Sequence, residues 1–160
     1  MSNQSARRAD AIDAYRQANA AYHARDYDEA IRLFRNAVAA GAPPKASQKL
    51  GGLLHHRGKM LIRSGNPELA LRDLREAHAL VPHDEKLTRR LGALLRDEYL
   101  AACQEGEQAS VAALARELAL VEPDSPRLSR LSEAADAIGA LLERRWQGSE
   151  GPTLVIVEQG

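Results

Sequence analysis

Three segments of the chain repeat one spacing of small residues, large residues and proline. In the second segment the pattern reads Gly58-x-x-Leu61, Ala70-x-x-x-Leu74, Ala77 and Pro82. The other two segments carry it as Ala18-x-x-Ala21, Ala30-x-x-x-Phe34, Ala37 and Pro43, and as Gly92-x-x-Leu95, Val111-x-x-x-Ala115, Leu118 and Pro123. Because small side chains let two helix backbones approach closely, we expect Gly58 and Ala70 where paired helices cross. Phe34 or Leu74 would then fill the gap between successive pairs.

Helical periodicity runs through most of the chain and is interrupted at regular intervals by glycine and proline. It predicts seven helices, over residues 6–24, 27–40, 45–64, 67–80, 84–105, 108–121 and 125–147. The apolar residues, 44% of the chain, are mainly alanine and leucine, which favour helices. The predicted fold class is therefore all-α.

Several predicted helix starts have capping signals. Asp26 followed by Glu29 has the spacing of a capping box, in which the aspartate accepts from a first-turn amide and the glutamate reaches back. Asn66 and Ser125 each precede a proline, which is well suited to the first helical position because its missing N–H has no partner there. We expect both side chains to act as caps.

The repeated spacing resembles the tetratricopeptide repeat, a family of helix-turn-helix units with the pattern G-x-x-Y, A-x-x-x-F and a closing proline. The string from Asp26 to Ile31 is especially similar to the turn between the two helices of that unit. The resemblance implies a right-handed α-solenoid of three helix hairpins within a domain of residues 1–148. The repeats would span about 11–44, 45–83 and 84–124, and the helix over 125–147 would cap the open end.

The spacing departs from the family in two places. The family unit is about 34 residues, which is the interval from Gly58 to Gly92. Ala30 to Ala70 is about six residues longer, and the segment from Gly92 to Val111 about seven longer. Seven residues are two helical turns, so we expect the third pair to be taller without being rotated.

The resemblance also implies a binding surface, because the first helix of each pair lines the concave face of such solenoids. The predicted peptide-binding residues are Tyr15, Asn19, His23, His56, Lys59, Arg63, Lys86 and Arg90. Most carry positive or titratable groups, so the groove should be basic and its ligand acidic. In the carboxylate-clamp subgroup of the family, five positions grip a terminal carboxylate, and here they are Tyr15, Asn19, His56, Lys86 and Arg90. A clamp, a generic basic groove and a solvated charged face remain open alternatives.

Other functions receive little support from the sequence. Lys plus Arg and Asp plus Glu are both 22, so net charge gives no reason to expect nucleic acid or an anionic membrane as partner. No nucleophile motif surrounds the single cysteine, Cys103, and no phosphate-binding glycine loop is present. Adjacent helical residues such as His55 and His56 diverge by about 100° and do not converge on one metal ion. We therefore expect no enzyme activity, no cofactor and no metal, and a cytoplasmic location.

The apolar run within residues 149–160 differs from the rest of the chain. Leu154, Val155, Ile156 and Val157 form a largely β-branched segment in a sequence otherwise suited to helices. This segment would add a strand to a partner, lie along its own chain, contact a neighbouring copy or stay loose. The predicted function is a non-enzymatic adaptor or chaperone-like module that binds a peptide. The alternative is a structural protein that self-assembles through this segment or the solenoid ends.

Overall fold

The structure, a computed structural model, describes residues 2–147. Within them lie seven helices and no strand: α1 (Ser2–His23), α2 (Tyr27–Ala39), α3 (Pro44–Arg63), α4 (Pro67–Leu80), α5 (Glu85–Glu105), α6 (Gln108–Val121) and α7 (Pro126–Gln147). Helices adjacent in sequence pack in pairs, α1 with α2, α3 with α4, and α6 with α7. The prediction of an all-α fold of helix hairpins is therefore confirmed. Apart from the start of α1, every predicted helix end lies within one residue of the observed one.

The chain divides into two compact units, Met1–Leu94 and Leu95–Gly160. In the first unit α2 also packs against α3, so the hairpins α1–α2 and α3–α4 stack on each other. In the second unit α6 packs against α7. The apolar run of Leu154, Val155, Ile156 and Val157 lies outside the described residues, and its role stays a prediction.

The three turns that follow α1, α3 and α5 have the same backbone conformation. Arg25, Gly65 and Gly106 all have positive φ, at 63°, 75° and 75°. The N–H of the residue after each of them donates to the carbonyl five residues earlier, at distances of 3.1, 2.9 and 3.0 Å. This is the Schellman arrangement, in which a left-handed residue ends the helix. The shared turn aligns α1, α3 and α5 by backbone conformation, independently of side-chain identity.

The predicted close approach at Gly58 is confirmed. A Cβ atom at Gly58 would lie 3.1 Å from Cγ and Cδ2 of Leu74 and 3.5 Å from the carbonyl oxygen of Ala70. One heptad earlier, a Cβ atom at Gly51 would lie 2.8 Å from Cγ2 of Val81. α3 therefore lies close to α4 at Gly58 and close to the residue that follows α4 at Gly51, and a Cβ atom at either position would be crowded.

The same small positions recur in the first pair and change in the third. Ala11 and Ala18 precede Arg25 by 14 and 7 residues and are buried, at 1% and 0% exposure. Gly51 and Gly58 stand at these intervals before Gly65. In the third pair the corresponding residues are Gly92 and Tyr99, because the turn there is at Gly106. Gly92 therefore corresponds to Gly51 rather than to Gly58.

This alignment overturns the prediction of a taller third pair. α5 has 21 residues and α3 has 20, while α6 and α4 have 14 each. The seven apparent extra residues arose because Gly92 was matched to the wrong glycine of α3. Successive first helices begin at Pro44, Glu85 and Pro126, which are 41 residues apart. The repeat of this chain is thus longer than the 34 residues typical of tetratricopeptide units.

The predicted caps are confirmed in part. The Glu29 backbone N–H donates to Asp26 Oδ1 at 3.2 Å, so Asp26 caps α2 as expected. Glu29 does not complete a capping box, since both of its carboxylate oxygens accept from Arg32 at 2.7 and 2.5 Å. Asn66 is not a side-chain cap for α4. Its Nδ2 donates instead to the backbone oxygen and hydroxyl of Ser64, which stiffens the preceding turn.

Arg57 of α3 links three helices of the first unit. Its Nε and Nη2 donate to the two oxygens of Asp73 on α4 at 2.7 and 2.9 Å, and its Nη1 donates to Asp28 on α2 at 2.9 Å. Asp73 is only 3% exposed, and a buried carboxylate is tolerated when it is paired and hydrogen-bonded. The hydrogen bond to Asp73 raises the pKa of Arg57 above its usual range. This network fixes α3 against both second helices.

Candidate functional site

All eight predicted peptide-binding residues lie in the first unit, on α1, α3 and the first two turns of α5. His23, His56, Lys59, Arg63 and Lys86 are exposed. The other three, Tyr15, Asn19 and Arg90, are half-buried and contact neighbouring side chains. The two groups have different capacities for binding a ligand.

Lys49 joins α1 to α3 at the centre of this surface. Its ammonium donates to Oδ1 of Asn19 and lies 5.8 and 5.7 Å from the ring centroids of Tyr15 and Tyr22. Asn19 in turn donates through Nδ2 to the backbone oxygen of Tyr15 at 2.7 Å. The Tyr15 ring meets the buried Phe34 edge-on, with 5.9 Å between centroids. The charge of Lys49 is thus held in place by two aromatic faces and one amide oxygen.

A cavity of about 390 Å³ opens beside Lys49. We call it the tyrosine cavity, and it is lined by Tyr22, Tyr27, Lys49, Gly52, Leu53 and His56. The Tyr22 and Tyr27 rings lie 6.1 Å apart with planes tilted by 60°, and the Tyr27 and His56 rings lie 6.1 Å apart with a tilt of 52°. Three rings therefore surround a space next to a fixed positive charge.

Arg90 joins the start of α5 to α3 in a similar way. Its Nη1 lies 2.7 Å from Nε2 of His55. Because a guanidinium can only donate, Nε2 must be the acceptor and the neutral imidazole carries its proton on Nδ1. Burial, followed by the positive charge of Arg90, lowers the pKa of His55. His55 is therefore neutral at pH 7 and is a structural partner of Arg90.

The contacts of Lys49 and Arg90 are equivalent in the repeat. Each cation is the sixth residue of its helix, in α3 and α5 respectively. Their aromatic partners, Tyr15 and His55, each lie ten residues before the positive-φ residue of their own pair. A cation on one first helix thus contacts a ring on the preceding first helix at two successive steps. This recurrence places a row of cations along one surface of the first unit.

The carboxylate-clamp alternative uses residues that already have partners. Of its five positions, Tyr15 packs on Phe34, Asn19 binds Lys49, and Arg90 binds His55. Only His56 and Lys86 among the five are exposed. The arrangement favours a generic basic surface over a clamp, because a clamp requires its donors to point at one incoming carboxylate.

The sequence prediction missed Lys49 and Tyr27. Lys49 lies seven residues before His56 and hence on the same face of α3 as His56, Lys59 and Arg63. The helical spacing therefore contained the signal, but the family pattern drew attention only to the later turns. Tyr27 begins α2 and reaches the surface of α1 and α3 from the turn. Its role depends on the packing of the hairpin and has no signal in the spacing.

A second cavity of the first unit is a weaker candidate. It has about 630 Å³ and is lined by Asp28, Arg35, Arg57, Met60, Leu61, Ser64, Leu69, Arg72 and Asp73. Most of its charges already neutralise one another, since Arg57 pairs with Asp28 and Asp73. Arg35 likewise donates to Glu76 at 2.7 and 2.5 Å. An ionic ligand gains little from a surface whose charges are paired.

Outside the two cavities, the described residues include few groups that could form a catalytic or metal site. Cys103 is exposed, and burial together with a hydrogen bond to Cys103 raises the pKa of Tyr99. Among the side chains that the structure describes, no group of three His, Cys, Asp or Glu residues is able to hold a metal ion. Over residues 2–147, no helix has the length and hydropathy needed to span a membrane.

No protein-family model matches the chain, and no curated protein matches it with significant similarity.

Proposed function

We propose that this chain is a cytoplasmic, non-enzymatic protein-interaction module of the tetratricopeptide type, an adaptor or chaperone-like protein that binds an acidic peptide segment. The binding surface is the face formed by α1, α3 and the start of α5. The observation that carries the proposal is the tyrosine cavity beside Lys49, where a fixed cation, three rings and a shallow space occur together.

The charges around the cavity support an acidic ligand. His56, Lys59 and Arg63 follow Lys49 along one face of α3, and the six residues that line the cavity include a cation but no carboxylate. Exposed lysines attract acidic segments over about one screening length, which is about 8 Å at physiological salt. The rings then supply the apolar contact that makes such an encounter persist.

A peptide-display selection against the purified protein tests this proposal. We expect the recovered sequences to be enriched in Asp and Glu, and their binding to weaken as salt is added. The double variant Lys59→Glu/Lys86→Glu should bind a recovered peptide about tenfold more weakly, because each reversed surface charge contributes on the order of 0.5–1 kcal/mol. The matched control is Arg32→Glu/Arg72→Glu, which makes the same charge change on the exposed faces of α2 and α4.

Two outcomes would contradict the proposal. One is a set of recovered peptides without acidic enrichment. The other is equal loss of affinity in the test and control variants, which would mean that net charge matters and the α1–α3 face does not.

Self-assembly is the second candidate function, and two exposed side chains favour it. Leu100 and Leu120 of the second unit are 57% and 80% exposed, and contact between copies would remove their apolar surface from water. Light scattering over a range of concentrations, on the full chain and on a variant lacking residues 149–160, decides between the candidates. Oligomers that disappear on truncation support assembly through that segment, whereas a monomer in both cases supports the adaptor.

A further inference from the structure

Gly52 lines the tyrosine cavity, and no contact with a neighbouring helix requires a glycine at this position. A Cβ atom at Gly52 would meet no described atom within 4 Å, whereas one at Gly51 or Gly58 would meet the neighbouring helix. Glycine inside a helix is destabilising relative to alanine. At Gly51 and Gly58 that cost permits helix packing. At Gly52 no helix packing requires the glycine, and the residue lines the tyrosine cavity.

The walls of the cavity are suited to a flat apolar group. Tyr22 and Tyr27 are 39% and 42% exposed, and their tilted planes present both a ring face and a ring edge. Aromatic side chains prefer such offset and edge-to-face partners, at centroid separations of about 4.5–7 Å. A volume of about 390 Å³ is at the small end of ligand pockets and suits one or two side chains.

Lys49 supplies the polar part of the same site. Its ammonium has three N–H donors, of which Asn19 accepts one, and the group lies along the edge of the cavity. The adjacent rings hold the ammonium through their faces, so the lysine does not have to be ordered when a ligand binds. A carboxylate is the partner that best matches a pre-positioned ammonium.

From this juxtaposition we propose that the ligand is a peptide segment with an aromatic side chain next to an acidic residue. The ring enters the tyrosine cavity over Gly52, and the carboxylate binds Lys49. This inference rests on the proposed function, because it specifies which acidic segments the α1–α3 face selects.

The test is a library of short peptides that each contain one glutamate. Across the library, the position next to the glutamate is varied through all amino acids. The library also includes peptides tiled across the chain's own sequence. On the wild-type protein we expect Phe, Tyr and Trp to be enriched beside the glutamate. An aromatic peptide should bind about ten- to a hundred-fold more tightly than its alanine counterpart, from ring burial and ring contacts.

Gly52→Leu is the decisive variant, because the Cβ position at Gly52 is open and a leucine side chain there would occupy space in the cavity that Gly52 lines. It should lose the aromatic preference, and its unfolding midpoint should not fall. Gly52→Ala is the matched control with the same backbone change and an almost open cavity, and it should keep most of the preference. His56→Ala is a second variant, which removes one exposed ring wall and should reduce the aromatic preference severalfold.

The possible results separate this inference from the proposed function. Acidic enrichment without aromatic enrichment, or an unchanged preference in Gly52→Leu, would overturn the inference and leave the basic peptide-binding face intact. Absence of acidic enrichment would overturn both. Stronger binding of the tile from residues 149–160, which is acidic but has no aromatic residue, would assign the cavity to the chain's own segment instead.

Discussion

The Gly58→Ala substitution measures how closely α3 and α4 approach. The new Cβ atom would lie 3.1 Å from two carbons of Leu74, a fully buried residue with little room to move. Replacing a helical glycine by alanine stabilises a protein by about 0.5–1 kcal/mol, but overpacking a tight core costs about 1–3 kcal/mol. We expect Gly58→Ala to lower the free energy of unfolding by roughly 0.5–2 kcal/mol.

Gly52→Ala is the internal reference for this prediction. It has the same chemistry on the same helix, but its Cβ atom meets no described atom within 4 Å. It should raise the free energy of unfolding by about 0.5–1 kcal/mol. Urea unfolding followed by far-UV circular dichroism gives both values, and their difference of about 1–3 kcal/mol isolates the contact with Leu74. Equal stabilisation by the two substitutions would refute the close approach of α3 and α4.

Three further predictions concern stability. Arg57→Met should lower the free energy of unfolding by about 3 kcal/mol because Asp73 would be left buried without its partner, whereas Arg32→Ala, at an exposed pair, should leave the urea midpoint unchanged. Burial lowers the pKa of His55 in the folded state. The stability that neutral His55 contributes is therefore complete above the unfolded pKa, near 6.5, and is lost as the pH falls below that value. His55→Gln should flatten the decline of the urea midpoint between pH 7 and pH 5. Arg25→Gly should raise the free energy of unfolding by about 0.5–1 kcal/mol, and with it the melting temperature, because a non-glycine residue with φ of 63° is strained. A lower melting temperature would contradict the assigned turn.

The positions of the helices could be predicted from the sequence because local residues determine them. Pro44, Pro67 and Pro126 begin helices, and Gly65 and Gly106 end them. These effects act within one or two turns of the chain, so they do not depend on the rest of the fold.

The alignment of the third repeat could not be predicted from side-chain size. α3 has two glycines seven residues apart, and Gly92 matches either of them by spacing. Tyr99 occupies the position of Gly58 and hides the correspondence. The turn glycine Gly106 identifies which glycine is equivalent, because it follows Gly92 at the same interval at which Gly65 follows Gly51.

The exposure of side chains on the α1–α3 face could be predicted from the sequence, but their pairing could not. Helical spacing identifies which residues share a face, and His56 and Lys59 are exposed on that face. It cannot show which side chains pair across helices. For that reason Asn19 and Arg90 were expected to be available to a ligand, although the structure pairs them with Lys49 and His55.

The most direct test of the account is a nuclear magnetic resonance titration of the ¹⁵N-labelled chain with an acidic peptide recovered by selection. If the α1–α3 face is the binding surface, the largest amide shift changes will fall on Gly52, His56 and Tyr27, around the tyrosine cavity. Changes centred on Arg72 and the second cavity, or confined to the unit that begins at Leu95, would contradict the account.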